Sequence, residues 1–251
     1  MENKFKDHFS DKSDAYSMYR PGYPKEMFSY LSSLSESKER AWDCATGNGQ
    51  SAIALSEYFT EVIATDASKN QIENAAVVGN VTYQVEKAEK TSIDSNSIDV
   101  ITVAQALHWF NLNEFSIEVM RVLKTHGVLA VWTYALMDIN HEINTIVNHL
   151  YGSTLDLYWP PERKFVEEGY KNIKFPLQEI NPPGFQMKTE WDLSQLIGYL
   201  HTWSAVKKYE AKEGFNPVDR QYKKLVALWG NPNQKLLIYW PLTLKVWKKL
   251  E

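Results

Sequence analysis

Two glycines and two carboxylates in the first third of the chain have the types and spacing of a nucleotide-binding loop. Asp43 lies near the end of an apolar segment, Gly47 and Gly49 follow it, and Asp66 ends the next apolar segment. Glycine permits a positive φ or a close approach of ligand to backbone, and the free N–H groups of a following helix attract polar ligand groups. Because a carboxylate can accept hydrogen bonds from both hydroxyls of a ribose, the pattern predicts a ribose-bearing ligand.

Apolar segments that alternate with helical spacing position these residues. We predict strands at Arg40–Cys44, residues 62–65, Val81–Val85, Ile98–Ala104 and residues 128–132. We predict helices at residues 25–36, at 49–59, from an N-cap at Ser68 to residue 76, and after an N-cap at Asn113, with Gly127 in the turn that follows. Strands that alternate with helices predict an α/β fold with a Rossmann-like, doubly wound, mostly parallel sheet of seven strands.

The second half of the chain is less regular, and seven of the nine Trp lie from Trp132 onward. We predict helices at 139–151, 192–206 and Pro217–Trp229, a strand at 173–180, and a strand-rich segment at 236–247 with an edge or bend at Pro241. We assign four tryptophans to the core: Trp42, Trp229, Trp240 and Trp247. We expect one domain, with residues 1–35 as an arm and helix over the ligand, 36–134 as the binding core, and 135–251 as a helical, aromatic-rich cover with the last strands.

The glycine loop alone leaves two ligands open, a dinucleotide and S-adenosylmethionine. A dinucleotide fingerprint needs three glycines at fixed spacing, so that the pyrophosphate can approach the helix N-terminus. Here Ala45 and Gly47 could occupy its first two positions, but Gln50 stands where the third glycine belongs. Asp66 does not distinguish the two ligands, because both contain a ribose that its carboxylate could bind. The spacing therefore disfavours a nicotinamide-dependent oxidoreductase without choosing a methyl donor.

The order of several motifs resembles the class I S-adenosylmethionine-dependent methyltransferases, and more narrowly the branch that contains trans-aconitate methyltransferase. The motifs that carry this resemblance are residues 19–24 (YRPGYP), 43–49 (DCATGNG), 64–68 (ATDAS), 88–89 (AE), 105–110 (QALHWF), 121–124 (RVLK) with Gly127, and 202–204 (TWS). The resemblance runs from residue 16 to about residue 245. Ala45 is a departure, because the broad class usually has glycine there.

The resemblance implies a cofactor, S-adenosylmethionine, and a set of residues that contact it: Tyr19, Arg20, Asp43, Ala45, Gly47, Asp66, Ala67, Ala88, Glu89, Gln105 and Ala106. In this assignment Asp66 accepts hydrogen bonds from both ribose hydroxyls, and Arg20 pairs with the carboxylate of the cofactor. The loop at Ala88 and Glu89 flanks the adenine. Gln105 faces the methionine part.

The chemistry implied by the resemblance is an in-line displacement at a sulfonium methyl group, which depends mainly on positioning and on exclusion of water. Aromatic residues suit both tasks, and the candidates for the acceptor pocket are His108, Trp109, Phe110, Trp132, Tyr134 and Trp203. A carboxylate, with an ordinary pKa of about 4, needs no general base but needs a positioning cation such as Arg163 or the basic C-terminal region. A hydroxyl acceptor would need a base, His108 or His141. We assign no catalytic base.

Composition removes several other functions from consideration. The polar N-terminus and the lack of an apolar run of about 20 residues argue against a signal peptide or a membrane span. The single Cys44 fits a reducing compartment, the scattered His residues predict no metal, and a net charge of −4 does not favour nucleic acid. We expect a cytoplasmic methyltransferase for a small molecule, most plausibly a carboxylic acid. A hydroxyl, amine or carbon acceptor stays open, as does a cofactor-binding protein without turnover, and the oligomeric state is not predicted.

Overall fold

A mixed sheet of eight strands runs through residues 19–250, the part of the chain that the computed structural model describes. The predicted N-terminal arm lies largely outside these residues. The strands are β1 (Arg40–Cys44), β2 (Glu61–Asp66), β3 (Val81–Val85), β4 (Ile98–Ala104), β5 (Leu123–Tyr134), β6 (Gln178–Ile180), β7 (Gln186–Trp191) and β8 (Leu236–Lys248). Seven of them lie in the order β3-β2-β1-β4-β5-β8-β6, and β7 pairs with β8. The predicted doubly wound, mostly parallel α/β sheet is confirmed.

The parallel half of the sheet, from β3 to β5, follows from apolar strands that are buried on both faces. Along β4, Val100 packs in the cluster formed with the first two helices, whereas Ile101 packs in the cluster on the opposite face. Each cluster contains large residues that have almost no exposed surface, among them Phe28 on one face and Phe115 on the other. Such double burial requires helices on both faces of the sheet.

The helices cover these faces and form the second half of the chain. They are α1 (Lys25–Leu34), α2 (Gln50–Ser56), α3 (Lys69–Glu73), α4 (Leu112–Val122), α5 (His141–His149), α6 (Arg163–Glu167), α7 (Leu193–His201), α8 (Ser204–Glu213) and α9 (Pro217–Trp229). The Ser68 side chain caps α3, as predicted. The cap of α4 is Asn111 and not Asn113, because the Asn111 side chain accepts the Glu114 N–H in the first turn.

Three other boundaries differ from the prediction. The helix predicted at 192–206 breaks at Thr202 and Trp203 into α7 and α8, and the strand predicted at 173–180 shortens to β6. Gly127 lies within β5 and not in a turn, because α4 leads directly into that strand. A Cβ at Gly127 would lie 2.9 Å from the Lys124 carbonyl and 3.1 Å from the Ile98 carbonyl, so the close approach of these backbones requires glycine.

Pro241 marks a change of partner within a continuous strand, not an edge or an interruption. Residues 242–248 of β8 pair with β5, and residues 236–241 pair with β7. The N-terminal half of β8 and its neighbours pack into a third apolar cluster, which holds Trp191, Trp240 and helices α5 and α7–α9. The four tryptophans assigned to the core are all buried, which confirms that prediction.

Candidate active site

A cleft of about 1740 Å³ opens at the carboxyl ends of the parallel strands. Open α/β sheets bind their ligands at this edge, where the loops after successive strands converge. The predicted residues that line the cleft are Arg20, Ala45, Gly47, Asp66, Ala67, Ala88, Glu89, Gln105, Ala106, Trp109, Phe110 and Tyr134. The structure therefore brings together most of the residues that the sequence singled out.

The glycine loop between β1 and α2 is built from left-handed backbone. Ala45, Gly47 and Gly49 have φ of 55°, 56° and 93°. Positive φ is unfavourable for alanine, so Ala45 holds a conformation that a glycine would adopt at lower cost. At Gly49 an added Cβ would collide with the Tyr83 hydroxyl, so this position needs glycine for both conformation and space.

Asp43 lies beneath this loop and not in the cleft wall. Its side chain is buried, and its two oxygens accept hydrogen bonds from the Thr46 hydroxyl at 2.5 Å and the Thr102 hydroxyl at 2.7 Å. Burial raises the pKa of Asp43 to about 6, although these hydroxyls act in the opposite direction. Asp43 therefore ties the loop to β4, and the structure does not place it among the residues that line the cleft.

Asp66, at the end of β2, connects the glycine loop with the next helix. One carboxylate oxygen accepts the Gly47 N–H at 2.9 Å, and the other accepts the Ser68 N–H at 2.8 Å. The side chain is half-buried and lines the cleft. Because each carboxylate oxygen can accept more than one hydrogen bond, Asp66 keeps acceptor capacity toward a ligand.

The loops after β3 and β4 form the adjoining wall. Glu89 accepts the Asn111 N–H at 2.9 Å, which links the two loops. Other polar residues line the cleft although no motif in the sequence marks them, among them Glu86, Glu114 and Gln71. Glu86 lies in the loop after β3, Glu114 in the first turn of α4, and Gln71 on α3.

The floor of the cleft joins residues that are far apart in sequence. An Arg20 Nη1–H donates to the Tyr134 hydroxyl at 2.6 Å, and the guanidinium lies 5.2 Å from the centre of the Tyr199 ring. Tyr19 lies against α7 instead of lining the cleft: a Cβ at Gly198 would lie 2.6 Å from its ring. The close packing explains the glycine in that helix.

Gln105 follows β4 with a φ of 55° and is held by β5. Its backbone N–H donates to the Trp132 carbonyl at 2.9 Å, and its side-chain oxygen accepts the Thr133 hydroxyl at 2.5 Å. A non-glycine residue with this φ is strained by roughly 1–3 kcal/mol, which commonly marks a functional position. Its side chain lies at the junction of the two strand ends.

Three predicted pocket residues lie behind the cleft wall. Trp132 has no exposed surface and packs edge-on against Tyr23 and Phe28, and Trp203 is buried beside Trp159. His108 is turned toward Tyr170, with 2.8 Å between Nδ1 and the phenol oxygen. Burial lowers the pKa of His108 to about 4. Of the aromatic residues predicted for the pocket, Trp109, Phe110 and Tyr134 line the cleft, whereas Trp132, Trp203 and His108 do not.

The outer wall comes from a segment between the helix predicted at 139–151 and the strand predicted at 173–180, where no helix or strand was predicted. Its lining residues are Leu157, Tyr158, Trp159, Pro160, Pro161 and Glu162, and two lysines of α8, Lys208 and Lys212, face the same cleft. The adjacent Arg163, the predicted positioning cation, is instead paired with Asp156 at 3.0 Å and Glu167 at 2.8 Å. Trp159 and the two prolines are the sequence signal that could have indicated this wall.

Tyr158 fastens this outer wall to α8. Its hydroxyl donates to Glu213 at 2.6 Å, and this hydrogen bond is the main reason why the pKa of Tyr158 is raised to about 12. Its ring also packs against Tyr209, with 4.9 Å between ring centres. The wall and the helix that carries Lys208 and Lys212 are therefore mechanically connected.

Neither a metal centre nor a transmembrane helix is found between Tyr19 and Leu250. Across these residues no three His, Cys, Asp or Glu side chains are grouped so as to hold a metal ion. No helix in the same range is long and apolar enough to cross a bilayer.

Comparison with known proteins gives consistent matches. A family profile described as a methyltransferase domain matches residues 42–131. A Dictyostelium discoideum protein named as a methyltransferase is 38% identical over 205 residues, which is 80% of this chain and 78% of that protein. A Mycobacterium tuberculosis protein named as an uncharacterized methyltransferase is 34% identical over 127 residues, covering 49% of this chain and 51% of the relative.

A solved structure extends the match to the cover of the cleft. It is that of an Anaeromyxobacter dehalogenans protein named as a type II methyltransferase. It is 37% identical, covers 92% of this chain and 99% of its own, and superposes with a TM-score of 0.87. The similarity thus includes the second half of the chain, which lies beyond the matched domain profile.

Proposed function

The chain belongs to the class I S-adenosylmethionine-dependent methyltransferases, and from that premise we propose that its cleft transfers a methyl group to a small carboxylic acid. The observation that carries the cofactor assignment is Asp66, whose two oxygens are oriented by the Gly47 and Ser68 N–H groups beside a left-handed glycine loop. Within the family we propose kinship with the trans-aconitate methyltransferase branch, on the motifs given above.

The residues present fit S-adenosylmethionine. Asp66 would hold the ribose hydroxyls, and Glu89 with Ala67 would hold the adenine. Arg20, which lines the floor, would pair with the carboxylate of the cofactor. When bound, the cofactor supplies an electrophilic methyl group. The cleft is larger than the roughly 300–1,000 Å³ typical of small-molecule sites, which leaves room for an acceptor beside it.

A carboxylic acid is the acceptor that best suits the side chains of the cleft. A carboxylate is ionised at neutral pH and attacks without a general base. His108, one of the two candidate bases for a hydroxyl acceptor, lies behind the wall and is hydrogen-bonded to Tyr170. Besides Arg20, which is assigned to the cofactor, four cations line the cleft and can attract an anion: Lys87, Lys90, Lys208 and Lys212. The catalytic contributions of the protein are then orientation and exclusion of water by Trp109 and the outer wall.

An amine acceptor is the second candidate. Glu162 lines the outer wall close to Trp109 and Trp159, and a carboxylate beside aromatic rings can hold a cationic amine. The two candidates predict opposite effects of Glu162→Gln. Loss of this negative charge should improve binding of a carboxylic acid and weaken binding of an amine.

Labelled methyl transfer tests the proposal. Purified protein is incubated with S-adenosylmethionine labelled in its methyl group and with panels of di- and tricarboxylic acids, phenols and amines. Label should appear in a methyl ester that mild alkali hydrolyses. Label only in phenols or amines would contradict the carboxylate acceptor. Cofactor binding without transfer to any panel would favour a binding protein without turnover. A single-domain organisation and a cytoplasmic location are further proposals, which rest on the sequence.

A further inference from the structure

We propose that Gln105 and Tyr134 form the pair that binds the acceptor in this cleft, and that Thr133 is a positioning residue for Gln105. The pair presents hydrogen-bond donors to a carboxylate of the acceptor. This inference rests on the proposed function, which requires only that the cleft binds the cofactor and transfers its methyl group. It adds which residues distinguish an acidic acceptor from an amine.

The amide of Gln105 has one orientation that satisfies its neighbours. Its Nε2 lies 3.4 Å from the Tyr134 carbonyl, which can only accept a hydrogen bond, so the nitrogen belongs on that side. Its Oε1 then accepts the Thr133 hydroxyl at 2.5 Å. The amide oxygen is thus hydrogen-bonded to Thr133, and one amide N–H points to the Tyr134 carbonyl. The other N–H is the group that Gln105 can donate to a ligand.

The Thr133 hydroxyl fixes this orientation from behind, because Thr133 is only 1% exposed. Tyr170 is also 1% exposed and belongs to the same buried surroundings. Tyr170 also meets Nδ1 of His108 at 2.8 Å. Burial raises the pKa of Tyr170, so the phenol keeps its proton. Thr133 has one hydroxyl hydrogen and donates it to Gln105, at the edge of the cleft.

Arg20 orients the Tyr134 hydroxyl, so that Tyr134 can also act as a hydrogen-bond donor. Its oxygen accepts from Arg20 at 2.6 Å, and a guanidinium has no acceptor. The phenol hydrogen of Tyr134 must therefore point to another group. Tyr134 lies at the end of β5, and Gln105 follows the end of β4, so both face the cleft floor side by side.

A pair of donors selects for acidic oxygen acceptors. A carboxylate has about four lone-pair positions, so two can accept hydrogen bonds from Gln105 and Tyr134 while another attacks the methyl group. A neutral amine has one lone pair, and a hydrogen bond to it would occupy the nucleophile. The pair thus supports transfer to a carboxylate and opposes transfer to an amine.

The test compares Thr133→Val with Thr133→Ser. Valine is similar in shape to threonine but lacks the hydroxyl, whereas serine keeps it. We expect Thr133→Val to raise KM for the preferred carboxylic acid roughly tenfold, the usual effect of losing one hydrogen bond to a charged group. Thr133→Ser should stay within about twofold of the wild-type KM, and both variants should bind S-adenosylhomocysteine with Kd within about twofold of wild type.

A second variant keeps the test decisive if Thr133→Val does not fold. Gln105→Glu preserves the shape of the side chain and replaces its donor with a negative charge. It should abolish transfer to carboxylic acids, whereas the Kd for S-adenosylhomocysteine should rise far less, because Gln105 also faces the methionine part of the cofactor. Unchanged KM in either folded variant would overturn the inference, as would transfer to amines alone or to no acid of the panel. If wild-type protein fails to bind S-adenosylhomocysteine, the proposed function fails first, and that result is distinct from the others.

Discussion

The carboxyl group of Asp43 should make the stability of the protein depend on pH in a direction opposite to that of a typical salt-bridged acid. Burial raises its pKa from the ordinary 3.8 to about 6. The folded state therefore holds this proton more tightly than the unfolded state does. Between pH 3.8 and 6 the folded protein binds more protons, so the contribution of Asp43 to stability is largest at low pH and is lost as pH rises.

The magnitude follows from the size of the pKa change. A difference from 3.8 to about 6 corresponds to about 3 kcal/mol, at 1.36 kcal/mol for each pH unit. Other groups also titrate, so the quantity to measure is the difference in unfolding free energy between Asp43→Asn and wild type. This difference should move in favour of the variant by about 2.4 kcal/mol from pH 4 to pH 7, which is most of the full effect, and then stay level.

Urea unfolding followed by tryptophan fluorescence, at several pH values, gives both free energies. Thr102→Val is the informative companion, because it removes a hydroxyl that donates to Asp43 at 2.7 Å. In that variant the midpoint of the pH effect should move upward. A difference that moves in favour of wild type as pH rises would mean that Asp43 is stabilised as an anion. That result would refute the reasoning.

Three further perturbations test other parts of the account. Gly49→Ala should destabilise the protein by roughly 1–3 kcal/mol in urea unfolding, because φ at this position is 93° and the added Cβ would collide with Tyr83. Gly79→Ala is the control and should have little effect, since open space surrounds Gly79. Equal losses of stability in the two variants would contradict this prediction. Lys249→Met should lower the free energy of unfolding by roughly 2 kcal/mol, because the buried ammonium donates hydrogen bonds to the Met120 and Leu123 carbonyls at 2.9 and 2.8 Å. A variant as stable as wild type would exclude that role. Trp203→Phe should leave the Kd for S-adenosylhomocysteine within about twofold, since Trp203 lies behind the wall, and a tenfold loss would place it in the site.

The sequence predicted well which residues follow the parallel strands and line the cleft, because these strands have unambiguous patterns. The bounds of β1, β3 and β4 agree with the predicted ones, and Ser68 caps α3 as expected. Parallel strands bring their carboxyl ends to one edge, so Asp66 and Gln105 had to lie at the same edge of the sheet, on either side of β1.

The aromatic residues and the outer wall of the cleft were predicted less well, for physical reasons. Trp132 and Trp203 are aromatic residues close to the site in sequence, but composition does not say which face of a strand or helix turns inward. The wall at 157–162 has no periodic pattern, because it is irregular chain fastened by single contacts such as that of Tyr158 with Glu213. The bond between Arg20 and Tyr134 joins residues that no local pattern relates.

The most direct test of the account is the affinity of the cleft for S-adenosylhomocysteine, measured by isothermal titration calorimetry on three proteins. Wild type should bind it and should not bind NAD. Asp66→Asn should weaken binding by roughly tenfold to a hundredfold, the loss expected for hydrogen bonds from a ribose to a charged group. Glu190→Gln, a change to an exposed acid on β7, should bind as wild type does. Binding of NAD, or equal affinity in wild type and Asp66→Asn, would contradict the assignment of this cleft as the methyl-donor site.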